Sequence, residues 1–171
     1  QTLKDSRERL LKEGGIMIPE RAEIKFALIG ASPEVSRNTN PGAESCYSLE
    51  EFSEICPRKI PVRLTEKPNL LSEAEAAFHF DFRKPYAFKS EKNVNVTVAK
   101  DGKCIGIIQW LKTNLFGEIV YENIPGEIPS HWSSTIYLFQ NPISVRQGQS
   151  IKINALVDKD MLWFQHSGLD S

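Results

Sequence analysis

The chain has little cysteine, no long apolar run and no surplus of positive charge. Its three cysteines, Cys46, Cys56 and Cys104, are odd in number and widely spaced. That argues against a disulfide framework and against a cysteine-based zinc site. Reduced thiols fit a cytoplasmic or nuclear setting. No apolar stretch approaches the ~20 residues that span a bilayer, so no membrane partner is expected. No signal peptide is visible, because charges interrupt the segment from Leu3 to Leu11. The formal net charge of -1 disfavours a nucleic-acid partner. His79, His131 and His166 lie too far apart for a metal-ligand pattern, and no metal is expected.

Familiar catalytic signatures are missing as well. There is no nucleophile elbow, no HExxH and no Gly-rich phosphate loop. Gly14-Gly15 follows a helical segment instead of a strand, which is the wrong context for dinucleotide binding. Paired catalytic acids cannot be picked out by spacing, since Glu50, Glu51, Glu73 and Glu75 read as capping and solvated positions.

What is there is an ordinary globular composition, 40% hydrophobic and 25% charged. The length of 171 residues fits one domain, with or without an appendage. The first residue is Gln1, not Met, so a fragment or a processed product is expected.

Residues 1–15 read as a short helix. Asp5 and Glu8 have capping-box spacing, Leu3, Leu10 and Leu11 are apolar, and Gly14-Gly15 can end the helix. Ala22, Ile24, Phe26 and Leu28 then alternate with charged residues, as in a strand with one buried face. Ser32 to Ser48 is rich in Pro, Asn and Gly and reads as a surface loop or a mobile arm. Ser48-Leu49-Glu50-Glu51 resembles a capping box, and Pro57 closes the short helix it opens. Lys59 to Leu64 is a short strand or an extended connection.

From Ala76 onward strand patterns dominate. Phe78, Phe80 and Phe82 should face inward and His79 outward, as a solvated residue. Asp101-Gly102 predicts a tight hairpin within Asn93–Leu111. Its register would bury Val94, Val96, Val98, Ile105 and Ile107 together, and would set Cys104 on the other face with Ile108 and Trp110. Cys104 then reads as a small packing group. Glu118–Glu122 and Thr135–Phe139 are strand candidates, followed by turns at Asn141-Pro142, Gln147-Gly148-Gln149 and Asp158-Lys159-Asp160. The sum is about eight to ten strands and one or two short helices. The fold class is mainly β, an antiparallel barrel or sandwich with a mobile arm.

The stretch Ile124–Trp132 is punctuated by Gly and Pro and ends in Ser130-His131-Trp132, just before a β-branched and aromatic run. A loop entering a sheet is a common place to present function. Two readings stand: Trp132 plugs the core and His131 is merely solvated, or both belong to a binding site.

Leu11-Lys12-Glu13-Gly14-Gly15-Ile16-Met17-Ile18-Pro19-Glu20-Arg21-Ala22 resembles the junction that joins the two domains of protein arginine methyltransferases. Ser130-His131-Trp132 resembles the family's Thr-His-Trp loop, with Ser in place of Thr. Ser133–Leu138 and Val145-Arg146-Gln147-Gly148-Gln149 are similar to the family's strand and turn after that loop. Tyr47–Phe52 falls where the family ends its dimerisation arm. The resemblance runs from Leu11 to about Phe164.

The resemblance implies the family's C-terminal β-barrel at residues 16–167, an arm-like insertion at 32–48 and a tail at 168–171. Residues 1–15 would be what remains of the junction with an upstream S-adenosylmethionine domain. That cofactor would serve the full-length enzyme, and none is expected on this fragment, which is expected to be inactive alone. His131 would orient and pair with the upstream domain. Ser130, Trp132 and Glu127 would join it along the wall facing an arginine-containing protein or peptide. Pro33, Asn40 and Tyr47 would belong to an oligomer arm, with a homodimer in the full-length form. Two departures stand out: Pro129 replaces an aromatic residue, and the arm is polar. The alternative is a non-catalytic β-domain that binds a protein or carbohydrate through residues 124–132, since an indole on a loop is a common binding device.

Overall fold

A computed structural model describes residues 5–39, 57–87, 89–127, 130–159 and 161–166. Among these described residues, nine strands form two antiparallel sheets. They are β1 (Arg21–Gly30), β2 (Lys59–Val62), β3 (Glu75–Asp81), β4 (Lys89–Thr97), β5 (Gly102–Phe116), β6 (Ile119–Glu122), β7 (Ser134–Val145), β8 (Ser150–Asp158) and β9 (Met161–His166). The larger sheet runs β2-β7-β5-β1-β3, with β6 also on β5, and the smaller runs β4-β8-β9. The expected mainly β class holds, as a barrel-like sandwich whose sheet does not close.

The fifteen-residue β5 is the spine. β1 pairs along it from Cys104 to Asn114. β7 pairs with its first part, up to Gln109, and β6 pairs from Lys112 to Phe116. The chain between β6 and β7 therefore leaves the sheet midway along β5, and this is where residues 123–127 and 130–133 project.

Two cores sandwich the large sheet. Between the sheets, Phe26, Leu28, Ile107 and Tyr137 meet Val96, Ile151, Ile153 and Phe164. On the outer face, Ala27, Ile29, Ile108, Trp110 and Ile136 are covered in part by Val35 of the helix α1 (Pro33–Thr39). β1 shows why simple alternation fades: its second half, from Phe26 to Gly30, is buried throughout.

Several expectations are corrected. Asp101-Gly102 does not make a hairpin. β4 pairs with β8 over Lys89–Thr97, and Gly102 instead begins β5 opposite Val145. Val96 faces Ile151, not Ile107. The register of β5 against β7 shifts between Cys104 and Gly106. The bulge reverses the face, so Cys104 joins Ile107 between the sheets while Ile105 packs with Ile108 and Trp110 outside.

The start of the presumed loop is helical. Pro33 opens α1 with its φ already suited to a helix, and Ser32 caps it, its Oγ accepting from Val35 N at 3.3 Å. Asn40, Tyr47 and the Ser48 helix lie outside the described residues, as does the tail.

At the N-terminus a five-residue π-helix, Ser6–Leu10, replaces the expected α-helix. Asp5 makes no cap and instead accepts from Arg9 Nη1 at 3.1 Å. The segment is held by Arg7, which donates to the carbonyls of Phe82 at 3.3 Å and Lys84 at 2.5 Å. Leu10 and Leu11 stay exposed. At Asn141-Pro142 the chain does not turn out of the sheet but runs on within β7 through the irregular stretch between Leu138 and Ile143. The inward Phe78, the outward His79 and the turn at Gly148, with φ 82°, stand as expected.

Candidate functional site

The loop between β6 and β7 is anchored at both ends by one residue. Asn123 is buried, and its backbone N–H donates to Leu111 O at 2.9 Å. Its amide Nδ2 donates to Trp132 O at 2.8 Å. A buried amide with both ends of a loop in hand restrains that loop more than either contact alone.

Ser130 is the hub. Its Oγ shares a hydrogen bond with the Tyr121 hydroxyl at 2.7 Å and accepts from Trp132 N at 3.0 Å. The Tyr121 and Trp132 rings meet edge to face, 5.4 Å apart and at 87°. Strand β6 thus supplies the phenol that aims the indole. Trp132 remains 48% exposed, which rules out the reading in which it plugs the core. His131 is exposed, and its imidazole makes no hydrogen bond among the described residues. Its carbonyl accepts from Arg63 Nη2 at 3.2 Å. Glu127 pairs with Lys67 at 2.8 Å, and Glu122 accepts from Trp110 Nε1 at 2.8 Å, so neither carboxylate stands unengaged.

The loop is seated on the chain after β2. Gly126 has φ 72°, and a Cβ there would run into the backbone of Glu66 and Lys67. Only glycine meets both demands.

Trp132 separates two clefts. One, of about 190 Å³, is lined by Arg63, Thr65, Asn123, Gly126 and Ser130. The other, of about 380 Å³, is apolar and opens between the sheets, with Ile24, Phe80, Phe82, Tyr86 and Leu111 on its walls. Of the sequence-selected residues, Ser130 and Trp132 line the clefts, His131 and Glu127 belong to the same loop but line neither, and Pro33 stands apart at the start of α1. Sequence reading missed Tyr121, Asn123, Arg63 and Thr65. Nothing in their spacing marks them, because the fold alone brings them to the loop.

Among the described residues no group of three or more His, Cys, Asp or Glu could hold a metal ion. Nor is any helix long and apolar enough to cross a membrane. No strand, Gly-rich turn and helix succeed one another around Gly14-Gly15, which lie between the π-helix and β1.

Fold and site together define a class of antiparallel β-domain that carries an indole on a braced loop. More particularly, the family described as the arginine methyltransferase oligomerization subdomain matches residues 46–169, and the chain belongs to that family. It is 26% identical over 154 residues to the arginine N(omega)-methyltransferase of Streptomyces achromogenes subsp. streptozoticus, covering 89% of this chain and 42% of that protein. To human protein arginine N-methyltransferase 9 it is 26% identical over 150 residues, covering 85% of this chain and 18% of that protein. The chain thus spans less than half the length of these relatives. Among solved structures, the Trypanosoma brucei PRMT1 enzyme-prozyme heterotetrameric complex with AdoHcy has the same fold, with a TM-score of 0.75 at 11% identity. That match covers 99% of this chain and 60% of the other.

Proposed function

We propose that this chain is the C-terminal β-barrel of an S-adenosylmethionine-dependent enzyme that methylates arginine guanidinium groups in proteins. In this reading it supplies one wall of the substrate groove and part of the oligomer contact. The observation that carries the reading is the open, braced indole: Tyr121, Ser130 and Asn123 hold Trp132 at a cleft instead of burying it. When bound by an upstream domain, the cofactor supplies the electrophilic methyl group. What this chain contributes is position. Trp132 borders the guanidinium pocket, and His131, whose ring is open to an acidic group of that domain, fixes the approach of the two halves. Methyl transfer needs the acceptor nitrogen held in line with the methyl carbon, so small errors of placement are costly. The arm that begins near Pro33 and extends through Asn40 and Tyr47 is proposed as the oligomer contact.

The test uses the intact enzyme with its cofactor domain and an arginine-containing peptide. His131→Ala and Trp132→Ala should each lower kcat/KM by about 100-fold, the scale of an ångström-sized misplacement. A matching lysine peptide should give no turnover. Unchanged kinetics in both variants would remove this loop from the reaction. Trp132 fluorescence that responds to a glycan and not to the arginine peptide would favour a carbohydrate-binding domain instead.

A further inference from the structure

One carboxylate outside the loop is built into its foundation. Glu34 stands in the first turn of α1, beside Val35, which is wholly buried in the outer core. Its Oε1 accepts from the backbone N–H and the hydroxyl of Thr65, each at 2.8 Å. Its Oε2 accepts from Glu66 N at 3.1 Å. Three donors from a segment some thirty residues away converge on this one group. Lost hydration raises the Glu34 carboxyl, but the donors from Thr65 and Glu66, with Arg37 nearby, outweigh it and hold the group below its ordinary value. A surface glutamate serving only as solvated charge would not be engaged in this way.

The segment Glu34 grips is the one on which the site loop sits. Thr65 lines the smaller cleft. The backbone of Glu66 and Lys67 lies where a side chain on Gly126 would collide, Lys67 pairs with Glu127, and Arg63 holds His131 O. Contacts therefore run from the outer core through Val35 and Glu34 to Thr65–Lys67 and on to Gly126 and Glu127, while Arg63 of the same segment reaches His131 beside Trp132. We propose that Glu34 is a positioning residue for the substrate wall, acting by pinning the Thr65–Glu66 turn against which the Trp132 loop is seated. It touches neither the clefts nor the reacting atoms. The part of this inference that concerns the peptide substrate rests on the function proposed above. The part that concerns the seating of the loop does not.

Two measurements separate these parts. In the isolated chain, Glu34→Ala should speed hydrogen exchange at the Thr65 and Glu66 amides and shift the NMR resonances of the Gly126 amide and the Trp132 indole N–H. The melting temperature should barely move. Glu34→Gln keeps an acceptor oxygen for Thr65, and its shifts should fall between those of wild type and Glu34→Ala. If the Gly126 and Trp132 resonances stay in place while Thr65 and Glu66 lose protection, Glu34 is only a local staple and the proposal fails. In the intact enzyme, Glu34→Ala should raise the KM for the arginine peptide about tenfold, the scale of one charge-assisted hydrogen bond, with kcat at saturating peptide within twofold. Glu34→Gln should recover most of the loss. A fall in kcat that merely tracks lost folded protein would also overturn the positioning role. If the wild-type enzyme does not methylate arginine peptides and yet the indole shifts, the function proposed above falls and the positioning role stands.

Discussion

At the scale of the residue, Cys104 shows what burial does to a group that chemistry might otherwise use. It is wholly buried, and its thiol lies 3.4 Å from Gly106 O. Burial pushes its pKa up from 9.0 to about 11, and hydrogen bonding with the backbone of Gly106 and Ile29 pulls it back only in part. Such a thiol is a packing group and a poor nucleophile at neutral pH. Below pH 9 the folded and unfolded chains both keep the proton, and pH changes nothing. Between 9 and about 11 the unfolded chain gives up its proton first, so stability falls as pH rises. Unfolding in urea at pH 8 and pH 10 should show wild type losing about 1.4 kcal/mol more than Cys104→Ala over that interval. Parallel losses would mean that the thiol is not shielded. The sequence already marked Cys104 as a packing residue. Its face could not be read, because one bulge inverts the alternation, and Gly106 beside it marks a close approach without fixing where the register slips.

At the scale of the element, β5 explains both the success and the failure of reading strands from pattern. Val94, Val96 and Val98 alternate as a strand should, and so do Ile151 and Ile153, which face Val96 and Val94 in the register with β8. Alternation says that a strand has a buried face but not which strand lies beside it. Asp101-Gly102 had the composition of a tight turn, but its Asp instead accepts from Gln147 N at 2.7 Å, tying the crossing between sheets to the turn before β8. The helix α1 was hidden for a related reason: seven residues with one buried side chain carry little periodicity. Where β5 bulges against β7, Gly106 is the residue that permits the approach, for a Cβ there would collide with the Tyr137 carbonyl and crowd the Leu138 backbone. Both neighbours are backbone and cannot yield. Gly106→Ala should cost roughly 2–3 kcal/mol by chemical unfolding, within the range for steric strain in a core. Gly102→Ala, which meets only the flexible end of Leu71 at 2.9 Å, should cost less. Equal costs would show that the bulge has room to relax.

At the scale of the whole molecule, the β class and the loop with its indole were legible in the sequence, whereas the division into two sheets and the bracing of the loop were not. Turn residues and alternation are local signals. The contacts that make the site, from Tyr121 and Asn123 to Ser130 and Trp132 and from Glu34 to Thr65, exist only once β5 has lined up β6, β7 and their neighbours. The same distinction separates the residues that hold the fold from those that present its surface. Phe164 joins the sheets, with its ring 5.0 Å from Phe26 and 5.1 Å from Tyr137. Removing it leaves a cavity between the two layers. Phe164→Ala should therefore cost about 3–5 kcal/mol, as for other buried aromatic rings. Against a total of roughly 5–15 kcal/mol, that is enough to loosen the smaller sheet, with new binding of an apolar dye and a broadened unfolding transition. Trp132 is as large a side chain but stands at the rim, so Trp132→Ala should change stability by no more than about 1 kcal/mol while emptying the wall between the two clefts. If instead the Trp132 variant melts as early as the Phe164 variant, the indole is a structural member of the core edge, and the groove must be sought elsewhere on the domain.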